Sequence, residues 1–105
     1  MNILTIDSTS NKQITVGIVI SGKKITKSKK LVNTSGSQII LPLIDKLLRE
    51  QKLNIKDISE IEVKQGPGSY TGIRVGIAIA SALAFSLNIK INNLNLGVFP
   101  KPKYQ

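Results

Sequence analysis

The sequence contains no cysteine, no histidine and no tryptophan. Without cysteine there is no disulfide framework and no thiolate metal site. Without histidine the commonest metal ligand and the commonest general base are missing, so any catalysis would rest on Asp, Glu, Lys, Ser, Thr or Tyr. Aromatic residues are scarce, two tyrosines and two phenylalanines, which leaves little with which to stack nucleobases. Acidic residues are also few, six against fifteen basic ones, for a net charge of +9. Such a balance attracts polyanions. Every basic residue except Arg49 and Arg74 is a lysine, however, and arginine is the usual residue for bidentate phosphate contacts. Diffuse attraction to polyanions follows, rather than an independent nucleic-acid recognition module. The apolar run Val75 to Leu87 falls short of the roughly 20 residues that span a bilayer. Residues 2–6 are too short for a signal-peptide core, and Asp7 interrupts them. A cytoplasmic protein with no membrane partner is expected.

What is present fits one domain. The chain has 105 residues, 41% of them hydrophobic, enough for a single core. Its organising stretch is Gln65 to Arg74, Q-G-P-G-S-Y-T-G-I-R. Glycines at 66, 68 and 72 and Pro67 cannot lie inside a strand or helix. They predict a tight turn between a short strand and a long helix, with Thr71 as helix N-cap. The turn is neither a P-loop, since no Lys-Ser or Lys-Thr follows the last glycine, nor a dinucleotide fingerprint. It reads either as an anion cradle or as a crossover turn whose glycines let strand and helix approach closely.

In chain order, Ile3 to Ile6 reads as a buried strand that ends at the polar cluster Asp7-Ser8-Thr9-Ser10. Ile14 to Ile20 alternates at period two. Ser21-Gly22 signals a two-residue hairpin, and the lysine-rich stretch Lys23 to Leu31 reads as an edge strand. A helix is expected from about Ser37 to Gln51, with Ile40, Ile44 and Leu47 on one face, capping-box spacing between Ser35 and Gln38, and a kink at Pro42. Asp57 carries a weak cap signal. Ile61 to Lys64 should be a fourth strand, Gly72 to Leu87 a second helix, and Asn88 to Leu94 should contain a fifth strand. The Phe99-Pro100-Lys101-Pro102 tail cannot be regular structure.

The second helix carries a stripe of small residues every four positions, Gly72, Gly76, Ala80 and Ala84, flanked by Val75, Ile79 and Leu83. It is apolar almost all round, which predicts burial on more than one side. The stripe is either packed on the chain's own sheet or open to the close approach of another protein. The second reading is adopted as the expectation, because a chain of this size has little else with which to cover the helix.

The order β-β-β-α-β-α-β predicts an RNase H-like α/β unit, a mixed five-stranded sheet with two main helices. Three stretches resemble a known family. I-L-T-I-D-S-T-S at the start, L-P-L-I-D-K-L-L from Leu41 to Leu48, and G-P-G-S-Y-T-G-I-R-V-G from Gly66 to Gly76 are similar to motifs of the TsaB (YeaZ) family, in the same order and spacing. The resemblance covers about residues 1–95 and leaves 96–105 as an irregular tail. It implies half of an actin-like ATPase fold (ASKHA), with the family's second lobe absent, so that one copy cannot form a complete nucleotide cleft.

The resemblance also implies a function, that of a non-catalytic subunit without cofactor that pairs with the paralogous transferase TsaD. With the ATPase TsaE, these proteins install threonylcarbamoyl on a tRNA adenosine, so tRNA would be met indirectly. Family pairing through helices implies an interface of Ile40, Ile44, Leu47, Gly72, Val75, Gly76, Ile79, Ala80, Leu83 and Ala84. A homodimer is the counterpart in isolation. The resemblance marks Gly66, Pro67, Gly68, Ser69, Thr71, Gly72 and Arg74 as a distinctive turn. Asp7, with Ser8 and Thr9, falls where actin-like ATPases hold a metal–nucleotide complex, so a vestigial nucleotide site is the alternative to a strand-end cap. The family's usual His-Ser before the first helix reads Gly36-Ser37 here, and no metal site is expected. Competing readings are a nucleotide-binding lobe and a basic tRNA-binding accessory.

Overall fold

Strands β1 (Asn2–Asp7), β2 (Gln13–Ile20) and β3 (Lys23–Lys30) form an antiparallel meander in the computed structural model, which describes residues 1–104. Ser21 and Gly22 turn β2 into β3 with both φ angles positive, 51° and 80°. That backbone matches the right-handed twist of the flanking strands. β4 (Glu60–Val63) joins β1 in parallel, and β5 (Lys90–Ile91) joins β4 in parallel, giving the order β3-β2-β1-β4-β5. The expected five-stranded mixed sheet is therefore formed, with the lysine-rich strand at one edge. β5 lies inside the span Asn88 to Leu94 expected to contain it, and Asn92 follows it. The Asn92 side chain accepts from Val63 N–H (2.7 Å) and donates to the Val63 carbonyl (2.9 Å).

Leu4, Ile6, Ile14, Val16, Ile18, Ile61 and Val63 point to one side of the sheet, as their period-two spacing requires, and all are buried. Helix α1 (Gly36–Glu50) covers β2 and β3, and α2 (Tyr70–Leu87) covers β1, β4 and β5. The other side of the sheet carries Thr5, Asp7, Thr15, Glu60, Glu62 and Lys64. These residues border an open cavity of about 570 Å³ that no described element covers.

The helix ends correct three sequence expectations. α1 starts at Gly36 and runs on past Pro42, whose ring is exposed. Its N-cap Ser35 forms no capping box with Gln38: the Ser35 hydroxyl pairs with that of Ser37 instead (2.7 Å). α2 starts at Tyr70, and its N-cap is Ser69 rather than Thr71, with Ser69 Oγ accepting from Gly72 N–H at 3.3 Å. The signal at Asp57 belongs to a capping box with Asn54 around a short 3₁₀ turn, Ile55–Asp57. Asn88 ends α2 in the left-handed conformation (φ 56°), and Ile89 N–H closes on the Ala84 carbonyl at 3.0 Å.

Candidate functional site

The glycine turn is locked to the end of β1. Ser69 N–H donates to the Thr9 carbonyl (2.7 Å), and the Ser8 hydroxyl donates to the Gly72 carbonyl (2.6 Å). Ser8 is fully buried beneath α2. A Cβ on Gly76 would meet the Ser8 hydroxyl, and one on Gly72 would meet the Ser8 carbonyl. The glycines thus let helix and strand approach closely, one of the two sequence readings. The amides of Ser69, Gly72 and Ile73 are taken by Thr9 and Ser69, so the turn does not present them to an anion.

Asp7 is held the same way. Its Oδ1 accepts from Thr9 N–H (3.0 Å) and from the Thr9 hydroxyl (2.6 Å), and Oδ2 lies 3.8 Å from Lys64 Nζ. Asp7, Ser8 and Thr9 therefore cap the strand and anchor the turn. Ser8 has no surface to offer a nucleotide. Among the described residues no three His, Cys, Asp or Glu side chains gather as a metal site.

Arg74 projects from the first turns of α2. Its Nη1 donates to the Tyr70 hydroxyl (2.9 Å), and its guanidinium carbon lies 5.5 Å from the Tyr70 ring centroid. The hydrogen bond to Tyr70, then the fields of Tyr70 and Tyr104, raise the arginine above its ordinary pKa. Tyr104 stacks on Tyr70, with centroids 4.6 Å apart.

The small-residue stripe points inward, which corrects the expected interface. Gly76, Ala80 and Ala84 are buried against the sheet, and Gly72 faces Ser8. Ile40, Ile44 and Leu47 are core residues, each at most 2% exposed. Of these seven, all but the half-buried Gly72 are buried, and none of those six reaches a partner without unfolding the chain. Of the expected set, Val75, Ile79 and Leu83 keep part of their surface. The outward face of α2 runs through Arg74, Ala78, Ala82 and Phe85, all exposed, with Phe85 at 75%. Leu41 on α1, 48% exposed, adds another apolar side chain beyond the core. Sequence reasoning missed Ala78, Ala82 and Phe85 because a helix apolar all round has no phase to read.

The family model described as TsaD, tRNA N6-adenosine threonylcarbamoyltransferase, matches residues 20–96. The chain belongs to this TsaD family. Among similar proteins, the tRNA threonylcarbamoyladenosine biosynthesis protein TsaB of Bacillus subtilis (strain 168) is 36% identical over 92 residues, which is 88% of this chain and 40% of that protein. TsaB of Haemophilus influenzae is 33% identical over 91 residues, 87% of this chain and 38% of that protein. The solved structure of YeaZ from Pseudomonas aeruginosa superposes with a TM-score of 0.78 at 24% identity, covering 86% of this chain and 41% of that one. That superposition establishes the fold. The chain spans about two fifths of the length of the TsaB relatives it matches. The match takes in β3 through β5, the glycine turn and both helices, so the locked turn and α2 lie within the family's own region.

Proposed function

We propose that this chain is a scaffold subunit, without catalytic chemistry of its own, that pairs with a TsaD-like transferase in threonylcarbamoyl modification of tRNA. The names and functions of its TsaB relatives and the TsaD family match support this reading. The single observation that carries the pairing is the outward ridge of α2. A surface helix of a monomer normally turns a polar face to water. Here Ala78, Ala82 and Phe85 are exposed, Val75, Ile79 and Leu83 are half-covered, and Leu41 stands on the neighbouring helix. Small side chains at 78 and 82 let a second helix approach to the usual 8–10 Å between axes.

The chemistry available agrees with a supporting role. The Asp7 carboxylate accepts from Thr9, and the amides of Ser69, Gly72 and Ile73 in the glycine turn are occupied by the chain itself. Co-expression with the TsaD-like protein of the same organism, followed by size-exclusion chromatography with light scattering, tests the pairing. A one-to-one complex that Ala78→Glu disrupts while the circular dichroism stays native is the expected result. Separate elution of the two wild-type proteins would overturn it.

A further inference from the structure

The segment after β5 turns back along α2 and is fastened at two places. At the C-terminal end of the helix, Phe99 meets Phe85 edge-on, with centroids 6.4 Å apart, and Pro100 is buried. At the N-terminal end, Lys103 N–H donates to the Gln65 carbonyl (2.8 Å), Gln65 Nε2 donates to the Lys101 carbonyl (2.9 Å), and Tyr104 stacks on Tyr70. The fit at this anchor is close: a Cβ on Gly66 would meet the Lys103 carbonyl.

Between the anchors the segment stands off the helix. An open cavity of about 550 Å³ lies among Arg74, Ile77, Ala78, Lys101 and Pro102. Ser81, one turn beyond Ile77 on the same row of α2, keeps a buried hydroxyl with no hydrogen-bond partner. A strap that spans unfilled space loses the contacts that filling would supply, so its attachment is weak for its length. The family match ends at residue 96, before the strap begins.

We propose that residues 98–104 are an intramolecular latch that lies beside the outward ridge of α2 and competes with the partner for it. The proposal rests on the pairing through α2 put forward above. A partner helix laid along Ala78 and Ala82 at normal packing distance must share the space beside Ala78 with Lys101 and Pro102. It must also share Phe85 with Phe99. Docking therefore lifts the strap, and the Tyr70–Tyr104 stack opens with it.

The chain suits the test, because Tyr70 and Tyr104 are its only tyrosines and it has no tryptophan. Ring-to-ring nuclear Overhauser effects between the two tyrosines read the latch, in the full chain alone and after titration with the TsaD-like protein. Calorimetry reads the affinity of wild type, Tyr104→Ala and Lys103→Pro. The first variant removes the stack, and the second removes the backbone donor to Gln65 together with the lysine side chain and leaves both tyrosines in place. We expect the effect in the free chain, its loss in the complex, and binding roughly three- to tenfold tighter for both variants, the factor set by one aromatic pair in Tyr104→Ala and by one hydrogen bond in Lys103→Pro. Binding at wild-type strength with the tyrosine signal retained in the complex would overturn the latch and leave the scaffold reading standing. Failure of all three proteins to bind would overturn both.

Discussion

Gly76→Ala is the substitution that most sharply tests the packing of α2 on β1. Helix propensity alone favours alanine over glycine by about 1 kcal/mol. The structure reverses the sign. The added methyl would meet the Ser8 hydroxyl and sit 3.0 Å from Ser8 Cβ. Ser8 is fully buried and its hydroxyl donates to the Gly72 carbonyl at 2.6 Å, so it has no free rotamer to retreat to without losing that bond. Overpacking of this kind costs about 1–3 kcal/mol, and a buried group left unpaired costs about 1–3 kcal/mol more. Set against the propensity gain, the net loss is about 1–5 kcal/mol, with a fall in Tm of roughly 4–8 °C for each kcal/mol in a domain of this size. Urea titration followed by circular dichroism should show a lower midpoint at unchanged slope. Ala82→Gly on the exposed side of the same helix supplies the contrast, since there alanine should be the better residue by about 1 kcal/mol. The double variant Ser8→Ala/Gly76→Ala should be less destabilised than the sum of its single variants, because the first change removes the atom the second collides with. A Gly76→Ala chain as stable as wild type, or more so, would refute the close approach of helix and strand.

Other contacts make further predictions. Asn92→Ala removes both bonds to Val63 and one to the Gln65 side chain (3.1 Å), at a residue in the left-handed conformation (φ 52°). A loss of about 2–4 kcal/mol is expected by chemical denaturation. Glu50→Gln breaks the edge-strand ion pair with Lys27 (2.9 Å), in which both side chains are partly exposed. The cost should stay below about 1 kcal/mol and vanish in high salt. Asn54→Ala opens the capping box around Ile55–Asp57 and should cost about 1 kcal/mol.

Much of the fold was legible in the sequence because its signals are local. Alternation from Ile14 to Ile20, the Ser21-Gly22 pair and the lysine-rich strand after it specify a hairpin and its exposed edge without reference to the rest of the chain. The strand–turn–helix around Gly66 to Gly72 follows from where glycine and proline can stand. The phase of α2 was not legible. Its residues are apolar on every side, so period alone does not say which row meets the sheet. The deciding fact is that Gly76 lies over Ser8, a contact between residues far apart in sequence. The same holds for the cap of α2: both Ser69 and Thr71 have the right chemistry, and the bond from Ser69 N–H to the Thr9 carbonyl settles the choice. Residues 98–104 form no helix or strand, and their course along α2 depends on Tyr70, Phe85 and Gln65, which no local pattern joins to them.

The central claim, that the outward ridge of α2 receives the partner, is tested most directly by comparing charges placed on the two sides of the molecule. Calorimetric titration with the TsaD-like protein would be run on wild type, on Ala82→Glu in the ridge and on Glu62→Lys on the open side of the sheet. A charge forced into a packed apolar contact should weaken binding by at least about thirtyfold, so Ala82→Glu should lose the partner while Glu62→Lys binds as wild type does. Wild-type affinity for Ala82→Glu together with loss of binding by Glu62→Lys would move the interface to the open side of the sheet and contradict the account.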